Sequence, residues 1–165
     1  MITYGICLRL LWKTHDYLPD IGFDKPDHYF GVPEEERSSR VQLTGDTCII
    51  DNEDFFIRGV IKIPITDEEM YFGIGVWISQ KKENFENYQQ HPDSAEIGPY
   101  FGWLCSDISE FGDTLSLKTE AHFQSGNLRP WIKLHTSDHP LAVAQREGIS
   151  LARAWEIVHE YLPKD

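Results

Sequence analysis

The stretch Phe55-Phe56-Ile57-Arg58-Gly59-Val60-Ile61-Lys62-Ile63-Pro64-Ile65, followed after a short acidic turn by Tyr71-Phe72-Gly73-Ile74-Gly75-Val76-Trp77-Ile78-Ser79, decides the fold. In the first segment Phe55, Ile57, Ile61, Ile63 and Ile65 occupy the odd positions with Gly59 between them, while Arg58 and Lys62 occupy even ones. Successive side chains of a strand point to opposite faces, so this alternation describes a half-buried strand with one polar side. Asp67-Glu68-Glu69 supplies the turn. In the second segment Phe72, Ile74, Val76 and Ile78 face one way, and Tyr71, Gly73, Gly75 and Trp77 the other. Two strands joined so briefly pair antiparallel, because a parallel partner needs a long crossover.

Upstream, residues 18–33 are rich in Pro, Gly and Asp and read as an ordered loop carrying Phe23, Tyr29 and Phe30. Glu34 to Arg37 follows Pro33 and suits one helical turn. Val41-Gln42-Leu43 and Cys48-Ile49-Ile50 are strand-like on either side of a Gly45-Asp46 turn. Downstream, Ser79 is the expected cap of a helix from Gln80 to His91, stopped by Pro92. Pro99 to Cys105 reads as a short aromatic strand. Thr114 to Gln124 alternates, with Leu115, Leu117, Ala121 and Phe123 against Ser116, Lys118, Glu120 and His122. Arg129 to His135 is a further strand. Asp138 is the expected cap of a helix from about His139 to Glu147, ended by Gly148. Ser150 then caps a last helix whose apolar stripe is Leu151, Ala154, Trp155, Val158 and Leu162. The expectation is an α+β fold: a single twisted, mainly antiparallel sheet of about six strands, helices packed on one face, all in one domain over residues 1–165.

The 165 residues suffice for one real core. A net charge of −12 repels phosphate backbones and anionic lipid, so nucleic acid and membrane are not expected partners; basic proteins, basic peptides and cations are easier ones. The three cysteines, Cys7, Cys48 and Cys105, lack paired spacing, which argues for reduced thiols in the cytoplasm rather than a disulfide framework. Met1 to Trp12 is apolar but too short to span a bilayer, carries Arg9 and has no cleavage pattern, so neither a signal peptide nor an anchor is expected.

The richest polar cluster is Arg129 to Gly148, with Arg129, Trp131, His135, His139, Gln145 and Arg146 around a strand, a turn and a helix start. So many polar groups are costly unless each finds a partner, so the stretch is either a hydrogen-bonded corner or the wall of a binding site. His135 and His139 lie four apart, but Pro140 and the turn put them off helical geometry, and even with His122 nearby no metal is expected. Tyr71, Gly73, Gly75 and Trp77, beside Trp103 and Trp131, could make a trough with indole walls; alternatively, helices cover that face and the glycines admit them. Arg58 is either an anion anchor or the partner of an acid. Asp46 and Asp51 flank Cys48-Ile49-Ile50 and could form a carboxylate pair. Neither Cys48 nor Cys105 has a base at a suitable spacing for nucleophilic work. No phosphate loop, dinucleotide fingerprint or serine elbow is present.

A series of short pieces carries one resemblance. Leu18-Pro19, Pro26-Asp27-His28-Tyr29, Glu36-Arg37, Asp46-Thr47-Cys48, Phe56-Ile57-Arg58-Gly59, Gly75-Val76-Trp77, Asn84-Phe85 and Phe101-Gly102-Trp103-Leu104 recur in order, followed by Arg129-Pro130, His139-Pro140-Leu141-Ala142, Gln145 and Gly148-Ile149. Over about residues 14 to 150 the chain resembles the bacterial domain-of-unknown-function family 2199, whose name implies no activity. The resemblance also implies an N-terminal Cys-x-x-Cys-Gly pair followed by a histidine, in the manner of a zinc knuckle. Here His15 stands in place but Cys7 is alone, and residues 1–13 are atypical, so that metal site is not carried over.

The expected function is a non-catalytic binding module, protein- or peptide-directed or ligand-binding, needing no cofactor. Its expected site residues are Arg58, Trp77, Trp103, Arg129, Trp131, His135, His139 and Gln145. The alternative is a hydrolase-type enzyme with a pocket around Asp46, Arg58, His135 and His139, which requires those four side chains to converge. A small-molecule sensor with an apolar cavity under the sheet is a third reading.

Overall fold

The computed structural model describes residues 18–163. The apolar N-terminal segment, Cys7 and His15 lie outside them. The organising pair is β4 (Asp54–Pro64) with β5 (Tyr71–Gln80), antiparallel from Phe55↔Gln80 to Pro64↔Tyr71. As the alternation requires, Ile57, Ile61, Ile63, Phe72, Ile74, Val76 and Ile78 all lie on one side, fully buried.

The sheet around this pair is mixed and has eight strands among the described residues. β1 (Ile21–Gly22) runs parallel to β5 along its free edge. On the other edge, β4 is long enough for two neighbours. β3 (Thr47–Ile50) pairs antiparallel with its first half and carries β2 (Val41–Leu43) beyond it. β8 (Trp131–Leu134) pairs parallel with its middle at Val60↔Trp131. β7 (Lys118–His122) and β6 (Tyr100–Trp103) continue antiparallel from β8. Leu104, just past β6, then bridges to Ile78, and the Cys105 amide donates to the Trp77 carbonyl at 2.8 Å. The strands β5, β4, β8, β7 and β6 therefore form a closed circuit. The approach of β6 to β5 depends on Gly102, where a Cβ would run into the Ser79 carbonyl.

The expectation of a mainly antiparallel six-stranded sheet is corrected on both counts. Short turns explain β2–β3–β4–β5, but the connection from β5 to β6 holds a helix and an irregular stretch, residues 81–99, which delivers β8 parallel to β4. β1 escaped the sequence reading because two residues of a Pro- and Gly-rich loop show no alternation. Boundaries shift for local reasons. Ser79 does not cap the following helix: it and Gln80 are held in β5 opposite Phe56 and Phe55, and α3 spans Lys82–Gln90. The strand read from Thr114 begins only at Lys118, because Ser116 has a φ of 65° and the buried Thr114 hydroxyl takes the Ile108 amide and donates to the Ser106 carbonyl. Ser150 does cap α5 (Leu151–Tyr161), accepting from the Arg153 amide.

α3, α4 (Pro140–Glu147) and α5 fill the inner side, where Phe85, Leu141, Ala144, Leu151, Trp155 and Ile157 join the strand isoleucines in one core. The helices are not confined to that side. α1 (Asp27–Phe30), a 3-10 turn (Glu34–Glu36) and α2 (Arg37–Arg40) belong to a segment that covers one end of the outer face. There Val32, Cys48, Ile50, Phe56, Trp77 and Cys105 make a second small core. No helix of the described residues is long and apolar enough to cross a membrane.

Two-sided β4 yields a direct contrast. Ile61 is fully buried while the side chain of its neighbour Lys62 lies outside. Ile61→Ala is expected to cost about 3 kcal/mol in urea unfolding and Lys62→Ala less than about 1 kcal/mol; equal costs would contradict the assigned faces.

Candidate functional site

Strand register places a continuous set of side chains on the uncovered part of the outer face. Val60, Trp131 and His122 form one cross-strand row, Lys133, Glu120 and Phe101 the next, and Lys118 and Trp103 a third. Tyr71 is 55% exposed, Trp103 44%, Phe101 40% and Trp131 38%, all on this side of the sheet. The Lys62 ammonium lies 4.1 Å from the centre of the Tyr71 ring and 4.6 Å from that of Trp131, linking them by cation–π attraction. Phe101 meets Trp103 edge to face at 5.0 Å between centroids and His135 at 5.6 Å. Glu120 sits between two imidazoles, one oxygen 3.2 Å from His122 Nε2 and the other 3.5 Å from His135 Nε2. No group of three His, Cys, Asp or Glu among the described residues is arranged to hold a metal ion.

The other half of the expected trough is closed. Trp77 is fully buried, and its indole N–H donates to the Phe23 carbonyl at 2.8 Å. The glycines of β5 admit chain, though not a helix. Asp20 accepts from the Gly73 amide at 3.1 Å, and a Cβ on Gly73 would lie 2.6 Å from the Asp20 carboxyl carbon. The backbone of Gly22 lies over Gly75. Trp77 therefore belongs to the second core and not to a ligand surface. Arg58 spans the same covered region: its guanidinium lies 5.9 Å from the Trp77 ring, donates to the Gly45 carbonyl at 3.2 Å and pairs with Asp24 at 3.4 Å. Asp46 is engaged by Arg129, Nε to Oδ1 at 2.8 Å, and Asp51 by Arg40 through two 2.8 Å bonds. Asp46 and Asp51 thus each have an arginine and do not form a carboxylate pair.

The polar stretch after Arg129 resolves into a hydrogen-bonded corner. His139, not Asp138, caps α4: its Nδ1 accepts from the Leu141 amide at 3.1 Å, and its Nε2 meets the Asp113 carbonyl at 2.7 Å. The second contact requires the proton on Nε2, which leaves Nδ1 free to accept. Gln145 reaches back to β8, donating to the Ile132 carbonyl and accepting from the Leu134 amide, both at 2.8 Å. Arg146 donates to the Ser137 carbonyl. His135 alone of this stretch's histidines turns to the outer face. The residues of the enzymatic alternative are consequently divided: Asp46 and Arg58 at the Gly45 turn, His135 beside Glu120, His139 inside the corner. The thiols are equally unsuited to attack, since burial pushes Cys48 up to about 11 and Cys105 up to about 12.

A half-open pocket of about 440 Å³ lies beside the aromatic strip, where β4 begins and β5 ends. Phe55 and Phe56 line it together with Trp103 and His28, whose ring stacks at 5.0 Å from Phe56. Glu53, Asp54, Ser79, Gln80 and Ser116 supply its oxygen groups, and Cys105 lies against it. Only Trp103 of these was singled out from sequence as a site residue. The others stand in five separate segments that the ring closure of β6 on β5 and the seating of α1 bring together; the single local signal was the Glu53-Asp54 pair at a strand entrance.

The family model described as "Uncharacterized protein conserved in bacteria (DUF2199)" matches residues 12–149. No curated protein matches the chain, and no solved structure does.

The corner assignments have a measurable consequence. Gln145→Ala leaves a strand amide and a strand carbonyl without partners and is expected to cost about 1–3 kcal/mol, and His139→Ala about 1–2 kcal/mol through the lost cap. His135→Ala, on the surface, is expected to stay within about 0.5 kcal/mol. Urea titration separates these outcomes, and a neutral Gln145→Ala would refute the corner.

Proposed function

From membership of this uncharacterised bacterial family, to which the chain belongs, no activity follows, and we propose from the molecule's own geometry that it is a binding module without catalysis, directed at a protein or peptide. The observation that carries this reading is the concentration of Tyr71, Phe101, Trp103 and Trp131 on one uncovered sheet face while the interior is filled with aliphatic side chains and helices. Aromatic side chains left in water on one face forgo about 1.5–3 kcal/mol each that burial would return. Aromatics are also the residues that carry most binding energy at interfaces. A rigid strand platform presents them at little conformational cost.

The charge of the face is local. Lys62, Lys118 and Lys133 stand among the rings around Glu120, against a chain of net charge −12, while the acids Glu53 and Asp54 gather at the adjoining pocket. Such a surface favours a partner with both signs of charge and apolar side chains between them. The separation of Asp46, Arg58, His135 and His139, together with protonated thiols, supports binding over hydrolysis. Sparse, unpaired cysteines favour the cytoplasm as the place where it acts.

Selection from a random peptide library against the folded protein, followed by affinity measurement on enriched peptides, tests the proposal. Trp131→Ala and Phe101→Ala are each expected to weaken binding about tenfold or more with unfolding midpoints unchanged. Peptides that bind these variants as well as the parent would overturn it.

A further inference from the structure

The pocket beside Trp103 has a composition that specifies its occupant. No lysine or arginine lines it, and neither the Glu53 nor the Asp54 carboxylate has a hydrogen-bond or ion-pair partner among the described residues. Gln80 adds a buried acceptor. It is 7% exposed, and its Nε2 donates to the Ser79 carbonyl at 2.8 Å and the Phe101 carbonyl at 3.0 Å. Both of those partners are acceptors, so the amide orientation is fixed and Oε1 is the atom left over. That oxygen is buried with no partner. An unsatisfied buried acceptor costs free energy that a ligand donor would recover. The field has the same sign at depth: after burial itself, the charges of Asp27 and Asp54 help hold the Cys105 thiol protonated.

Everything in the pocket thus accepts hydrogen bonds or offers a ring. We infer that it receives a cationic nitrogen head, a guanidinium or a primary ammonium, carried on an apolar stem. The carboxylates of Glu53 and Asp54 neutralise the charge, Gln80 Oε1 takes an N–H, and the Trp103 indole covers the stem. The inference deepens the binding reading by giving the partner a basic side chain, but it does not depend on the aromatic strip. A free organic amine has the same chemistry.

The test follows the Trp103 indole N–H by NMR in the full chain during titration with four probes: capped arginine amide, capped lysine amide, capped citrulline amide and agmatine. The charged probes are expected to shift Trp103, with citrulline, which matches arginine in shape but lacks its charge, weaker by on the order of tenfold. Glu53 and Asp54 are exposed, so the double variant Glu53→Gln, Asp54→Asn keeps its fold and is expected to lose the response, while Trp131→Ala retains it. Tighter binding of capped arginine or lysine than agmatine marks a peptide as the source; the reverse marks a free amine. Citrulline binding equal to arginine, a silent Trp103, or an undiminished response in the double variant would each overturn the inference. Selected peptides that need Trp131 but carry no required basic residue would sink the pocket and leave the strip standing.

Discussion

The pairing of β4 with β5 over ten residues on each strand, Phe55↔Gln80 through Pro64↔Tyr71, is the constraint on which the other elements rest. A one-residue slip would turn Ile57, Ile61 and Ile63 out to solvent and bring Arg58 and Lys62 into the core, an exchange that no other contact in the molecule could offset. With the register fixed, one side is committed to α3, α4 and α5. The other is left for what the chain can spare, and only the segment around α1 and α2 is spent on it. Its reach ends at Arg58 and Trp77. Beyond that line the outer face stays bare, and the exposed aromatic side chains begin there.

Much of this was legible because strand alternation is a local property. The inward sets of β4 and β5 came directly from the spacing of their isoleucines, and the Ser150 cap from one residue type before an amphipathic run. Parallel neighbours were not legible. β8 joins β4 through Val60↔Trp131 after a connection of dozens of residues, and β1 contributes two residues from a loop whose glycines erase any pattern. Strand ends were misplaced where side chains compete with the ladder, as the Thr114 hydroxyl does, or where a partner strand extends it, as Phe55 and Phe56 do for Gln80 and Ser79.

The site was legible in pieces. The stretch from Arg129 to Gly148 was correctly seen as either corner or wall, and its partners decide for the corner: His139 and Gln145 together use four polar atoms on backbone groups. Composition could not separate Trp77 from Trp103, which lie on the same side of one sheet; the difference is made by Phe23 and Asp20, far upstream. The pocket was invisible for a related reason. His28, Asp54, Gln80 and Trp103 share no spacing, and only the return of β6 to β5 puts them around one space.

The central claim is that the sheet has one face divided between a covered region holding Trp77 and an open region presenting Trp103 and Trp131. Hydrogen exchange of the individual indole N–H groups, resolved by NMR, measures this directly. The Trp77 indole, bonded to the Phe23 carbonyl, is expected to exchange only as the protein opens, orders of magnitude more slowly than those of Trp103 and Trp131. A Trp77 indole exchanging as fast as the other two would mean that the upstream segment does not cover the sheet, and the division of the face would fall with it.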